Sequence, residues 1–201
     1  MMKKILFFMV TIVLLGGVGC ASYKYGKIDV RQIDEYLAHF TTGGIGIAAD
    51  AYDTPEKAKE GFYVDVTSKN FYPVNIILSN NSNDRIIILR ETAELVDASG
   101  NNYKPLRSSI MADTCEHNKM AYGLLGFGIF SYMSAEEANR KMANDWREKE
   151  LPDQLIIQPG RKQNGFLYFQ LPEGKKISGC KLILEVEKLE TKEKIPFEIG
   201  L

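Results

Sequence analysis

Histidine and cysteine are scarce in this chain of 201 residues, which holds two of the first and three of the second. A structural zinc site draws four ligands from two separated pairs, so a metal centre would have to be assembled from an unusually thin supply. No charge of one sign dominates: 25 Lys and Arg stand against 26 Asp and Glu, for a net charge of −1. No run of Lys or Arg could track a phosphate backbone, so nucleic acid is not an expected partner. The one long apolar run, Ile5 to Leu15, falls short of the roughly 20 residues a bilayer span requires. The chain also lacks a G-x-S-x-G elbow and a Lys-Ser/Thr pair of the P-loop kind, which removes the sequence signals of a serine hydrolase and a nucleotide-binding loop.

What is present begins with a leader. MMKKILFFMVTIVLLGGVGC has two lysines, an apolar segment and small residues before Cys20, the layout of a secretory signal over residues 1–19. Its end, GGVGC, resembles the lipobox of bacterial lipoproteins, with Gly17 standing where leucine is usual. The resemblance implies that Cys20 receives a diacylglyceryl group and becomes the first residue of the mature chain. Two or three acyl chains would anchor the protein to a membrane durably, whereas one binds only marginally. Ala21 stands where lipoproteins kept at an inner membrane often carry aspartate. The implied address is therefore the cell envelope, and in a bacterium with two membranes the periplasmic face of the outer one. Loss of the leader with Lys3 and Lys4 would leave 23 basic and 26 acidic residues.

With Cys20 taken by lipid, Cys115 and Cys180 remain. An even pair in an exported chain is a candidate disulfide, and two separate buried thiols are the equal alternative.

Residues 20–43 read as a tether followed by a short helix. DVRQIDEYLAHF places Val30, Ile33, Leu37 and Phe40 at helical spacing, with Gly43 beyond the end. From residue 44 the pattern turns to β. GIGIAADAY, YVDVTS, YPVNIILSN and RIIILRETAELVD alternate between turn-rich segments, with TPEKAKEGF as a turn or short helix among them. QLIIQ, GFLYFQL, KLILEVEKL and KIPFEIGL follow late in the chain, the last compatible only with an edge because of its proline. Eight or nine short strands favour an antiparallel sandwich over a parallel sheet. Residues 107–150 interrupt the alternation. Within them Ser134 and Glu137 have the spacing of a capping box, so a helix is expected from about residue 134, with Ala135, Ala138, Met142 and Trp146 near one face.

PVNIILSNNS, LVDASGNNY and IIQPGRKQNGFLYFQLP resemble strand phrases of the immunoglobulin-like domains found in many bacterial lipoproteins and secreted proteins. The resemblance covers residues 44–201 apart from the insertion at 107–150. It implies a mainly β, Ig-like antiparallel sandwich used for binding or scaffolding, and it brings no catalytic residue, cofactor or metal ligand.

Two local features compete for chemistry. GLLGFG invites a phosphate, but its glycine order is reversed relative to G-x-G-x-x-G and no βαβ unit surrounds it, so no nucleotide is expected. DTCEH gathers Asp113, Cys115, Glu116 and His117, which supports an alternative reading as an exported metal-binding protein or hydrolase. The stretch AYGLLGFGIFSYM carries no charge at all. Leu124, Leu125, Phe127, Ile129 and Phe130, with Trp146 from the following helix, form either a packed cover or an exposed surface for an envelope protein partner. The sequence thus points to a membrane-anchored, non-catalytic binding or scaffolding module.

Overall fold

The computed structural model describes residues 23–116 and 128–201, without the side chains of 128–134. Contacts divide the chain into two compact units. One comprises Lys24–Cys115 and Met142–Leu201. The described part of the other is chiefly the N-terminal portion of a long helix, up to Lys141. Among the described residues no helix is long and apolar enough to cross a membrane.

The larger unit is an antiparallel β-sandwich. One sheet has the order β1 (Ala38–Thr42), β2 (Ile45–Ala51), β3 (Phe71–Asn80), β8 (Arg161–Gln170). The other centres on β9 (Lys181–Lys188), flanked on one side by β10 (Lys194–Gly200). On its other side lie β4 (Ile86–Leu89) and β5 (Glu94–Val96), which pair outward with β7 (Gln154–Ile157) and β6 (Asn102–Tyr103).

Alternation decides what faces inward, because successive strand residues point to opposite faces. Ile45, Ile47, Val74, Ile76, Leu78, Leu167 and Phe169 from the first sheet meet Ile86, Ile88, Leu95, Leu182, Leu184, Val186 and Phe197 from the second in one core. Burying each such side chain contributes about 1.5–3 kcal/mol. β9 is buried only at every second position, as expected of a sheet with one face in water. β3 is different, being buried at nine of its ten positions. Its sheet is covered on the outer face as well.

That outer cover comes from chain segments read only in part from sequence. α1 (Pro55–Phe62) begins as its sequence suggests, with Thr54 Oγ1 accepting from the Lys57 amide at 3.3 Å and proline in the first turn. The segment before β1 packs Tyr36 with Val30 and Ile33 over Ala48 and Ile77. The helix expected over DVRQIDEYLAHF is here a single 3-10 turn, Ile33–Glu35, followed by strand β1. Gly43, read as a helix stop, is instead in the β1–β2 hairpin turn. Gly43 and Gly44 both have positive φ, 56° and 79°, the combination a two-residue turn of matching twist requires. Leu37, placed on the apolar stripe of that helix, is fully exposed. The YVDVTS strand also fails to form: Asp65 Oδ1 accepts from the amides of Thr67 and Ser68 and closes a 3-10 turn, Thr67–Lys69, instead.

α2 (Ser108–Cys115) and α3 (Gly128–Lys149) occupy the insertion. α3 starts well before Ser134, so that residue is interior to the helix and not its cap. Ala135, Ala138, Met142 and Trp146 are all buried, as the one-face spacing suggested.

Candidate functional site at the base of the insertion

The two ends of the insertion return to one place, the free edge of β8. Leu106 N–H donates to Tyr168 O at 2.7 Å, and Leu151 N–H donates to Phe166 O at 2.8 Å. An unpaired strand edge is a template for unwanted pairing, and these two segments occupy it. Gly165 makes the approach feasible, since a Cβ there would lie 2.9 Å from the Leu151 Cα.

The side chains at this junction follow from an irregularity in the second sheet. β4 pairs Ile88 with Val186 and β5 pairs Glu94 with Ile183, so residues 89–93 oppose only 184 and 185. The surplus chain folds into a 3-10 turn, Arg90–Thr92, which turns Arg90 into the interior. Its Nη2 donates to Pro105 O at 3.2 Å and to Leu106 O, and lies 3.5 Å from Glu150 Oε1. Glu150 also accepts from the Ser108 amide at 3.0 Å and from Ser108 Oγ at 2.5 Å, and pairs with Arg107 at 3.3 Å. A carboxylate at the first turn of α2 satisfies an amide that the helix itself leaves unpaired. Arg107 continues the chain of charges to Asp153 at 2.6 Å.

Electrostatics follow the geometry. Burial pulls the Arg90 guanidinium below its ordinary pKa, while Glu150 works in the opposite direction. The hydrogen bond between Arg107 and Asp153 raises the first and lowers the second. Leu89, Arg90, Glu91, Arg107, Asp153 and Gln154 border a cleft of about 320 Å³. Both arginines beside it are engaged by carboxylates, so the junction acts as a clamp on the chain more readily than as a receptor for an added anion.

Above the outer face of the first sheet lies an aromatic layer centred on Phe62. Its ring meets those of Phe166 at 5.0 Å, Trp146 at 5.9 Å and Tyr168 at 6.0 Å, all edge to face. Tyr52 packs on Phe62 and Phe166, and its hydroxyl is pushed above the ordinary tyrosine pKa by burial first and Asp50 second. Tyr168 Oη donates to Trp146 O at 2.7 Å. Trp146, placed by sequence on a candidate interaction surface, is fully buried and belongs to this layer.

A second cleft of about 340 Å³ runs past Arg31, Tyr36, Asp50, Asp53, Lys57 and Leu201. Its most prominent charges are mutually satisfied: Lys57 Nζ lies 2.6 Å from Asp50 Oδ1 and donates to Ala51 O at the same distance.

The remaining sequence candidates are dispersed. Cys115 and Cys180, the candidate disulfide, are two free thiols with separate surroundings. Cys115 ends α2 near Asp65 and Lys69, and burial raises its pKa to about 11. Cys180 sits in the sandwich core, where its Sγ lies 3.6 Å from Lys176 O. Asp113 and Glu116 are exposed. Among the described residues no group of three or more His, Cys, Asp or Glu side chains is placed to hold a metal ion. His39 is exposed on β1, with Nδ1 2.5 Å from Tyr36 O. Cys20, His117, Leu124, Leu125 and Phe127 lie outside the described residues, as do the side chains of Ile129 and Phe130. No sequence pattern singles out the Arg90 to Glu150 clamp. Its only local signal was a charged residue interrupting the apolar run RIIILRETAELVD.

No family model matches the chain, and no curated protein matches it. Among solved structures it is similar to the yjhA protein from Bacillus subtilis, at 12% identity over 80% of this chain and 95% of that one, with a TM-score of 0.40. It is also similar to a putative lipoprotein, ycdA, from Bacillus subtilis, at 12% identity and a TM-score of 0.40. That match covers 81% of this chain and 38% of the other.

Proposed function

We propose that this chain is an envelope lipoprotein, acylated at Cys20, that serves as a non-catalytic binding or scaffolding module. The observation that carries the reading is the leader, in which a basic start, a short apolar run and GGVGC arrive at Cys20, four residues before Lys24, the first residue of the larger unit. A stop of that kind suits a domain held at a surface by lipid, with the address in a two-membrane bacterium being the periplasmic side of the outer membrane.

The base of the insertion supports the binding half of the proposal. A buried ion pair, a helix-terminal carboxylate and two bonds to a strand edge fix the positions at which the insertion departs and returns. A rigid scaffold that fixes the ends of an inserted segment is a common way to present a binding surface. The uncharged stretch at 121–133 is the surface this reading assigns to an envelope protein partner.

Replacing Leu125 and Phe130 by Asp, in the acylated full-length protein, tests this assignment. A folded variant that no longer retains a partner co-purified from membranes supports it. A variant that unfolds shows the stretch to be core, and one that keeps the partner shows the surface to be elsewhere. Either result removes the docking role from residues 121–133.

A further inference from the structure

Two exposed tyrosines emerge on either side of one close backbone contact. Gly26 approaches the last turn of α1 so closely that a Cβ on it would lie 1.9 Å from Gly61 O. Tyr25, one residue before this contact, is 59% exposed, and Tyr63, two residues after Gly61, is 43% exposed. Lys24, Lys27 and Lys59 are exposed in the same two segments, and the exposed acids there are Asp29, Glu56 and Glu60. Tyr63 holds its outward position through a left-handed backbone, φ 61°, at the C-terminus of α1. The helix end is itself pinned by Lys149, whose Nζ donates to Gly61 O at 2.8 Å.

Lys24 is four residues from Cys20, and four extended residues reach about 14 Å. The larger unit therefore begins within about that distance of the acylated residue, and the patch of tyrosines and lysines is the first part of it that the chain enters. Tyrosine rings favour the headgroup level, where an apolar body and a polar tip are both satisfied, and lysines favour anionic lipid. Resting on the acylation at Cys20 proposed above, we infer that the surface formed by Lys24, Tyr25, Lys27, Lys59 and Tyr63 lies on the headgroups of an anionic lipid bilayer. The protein is then held in one orientation and does not swing on its tether. The second sheet, whose outer face is solvated, is turned toward the aqueous side.

The test uses the acylated full-length protein on vesicles of phosphatidylethanolamine and phosphatidylglycerol with brominated acyl chains. Tyr25→Trp, Tyr63→Trp and Ile156→Trp are compared, the last at a half-exposed position of β7. The single native tryptophan, Trp146, is buried and supplies a common baseline. Loss of the added emission at 25 and 63, with retention at 156, is the expected result. Failure of the protein to float with vesicles, or flotation undiminished by Cys20→Ser, overturns the anchor and the orientation together. Flotation that depends on Cys20 without quenching at 25 and 63, or with equal quenching at all three sites, overturns the orientation alone.

Discussion

Arg90 and Glu150 form a buried ion pair, 3.5 Å apart, between an irregular turn of the second sheet and the point where the insertion rejoins the sandwich. Both side chains are less than a tenth exposed. A pair so placed is stabilising only while both members and their hydrogen bonds are present, since desolvating either charge alone is expensive.

Removing one partner therefore costs more than removing both. Glu150→Ala should lower unfolding free energy by about 3 kcal/mol, because it strands the Arg90 guanidinium and frees the Ser108 amide. Arg90→Met combined with Glu150→Leu should recover the part of that loss that comes from the stranded charge, with the Ser108 amide still unpaired. Urea denaturation of the single and double variants measures both values. A single variant within about 0.5 kcal/mol of the parent would show that the pair does not clamp the insertion.

Close packing at two glycines gives a second expectation. An alanine at Gly26 meets backbone at Gly61, and an alanine at Gly61 would place its Cβ 2.4 Å from the Tyr52 ring, which is itself wedged against Phe62 and Phe166. Each substitution should cost about 1–3 kcal/mol by overpacking. Gly200→Ala, with nothing within 4 Å of its added Cβ, should be nearly neutral. Thermal unfolding of the three variants distinguishes them.

Acid sensitivity has an identifiable source at the β5–β6 turn. Asp97 accepts from the Asn101 side chain and amide and pairs with Lys175, and these contacts hold its carboxyl well below the usual range. A group whose pKa is depressed by folding contributes stability above its unfolded pKa, near 3.9, and loses it as pH falls toward the folded value. Stability should decline below about pH 4, and Asp97→Asn should flatten that limb. Chemical denaturation between pH 2 and pH 6 reads the slope.

Thiol chemistry should report two unpaired cysteines. Alkylation of the denatured protein without reductant should add a label at both Cys115 and Cys180. In the folded protein Cys180 is buried, and Cys115, with its pKa raised to about 11, should react slowly at neutral pH and faster as pH rises toward that value. Mass analysis that finds the two joined would contradict the separate surroundings described here.

Strand phrases such as YPVNIILSN and KLILEVEKL were legible because a period of two survives wherever one face is apolar, and the loss of that period marked the insertion at 107–150 close to where α2 starts and α3 ends. The segment before β1 carries a helical spacing because Val30 and Ile33 do pack inward, but through extended chain and a 3-10 turn. Pairing of β1 with β2 across Gly43 and Gly44 outweighs a weak helical spacing. Arg90 and Glu150 were illegible for a different reason. Their partnership depends on a sheet irregularity and a strand edge supplied by distant parts of the chain, and no local pattern encodes either.

The account depends most on the lipid at Cys20, and intact mass spectrometry of the protein purified from its native membranes tests it most directly. The expected product begins at Cys20 and carries the added mass of a diacylglyceryl group, with or without a further acyl chain. A protein that retains residues 1–19, or begins elsewhere with an unmodified amino terminus, would contradict it.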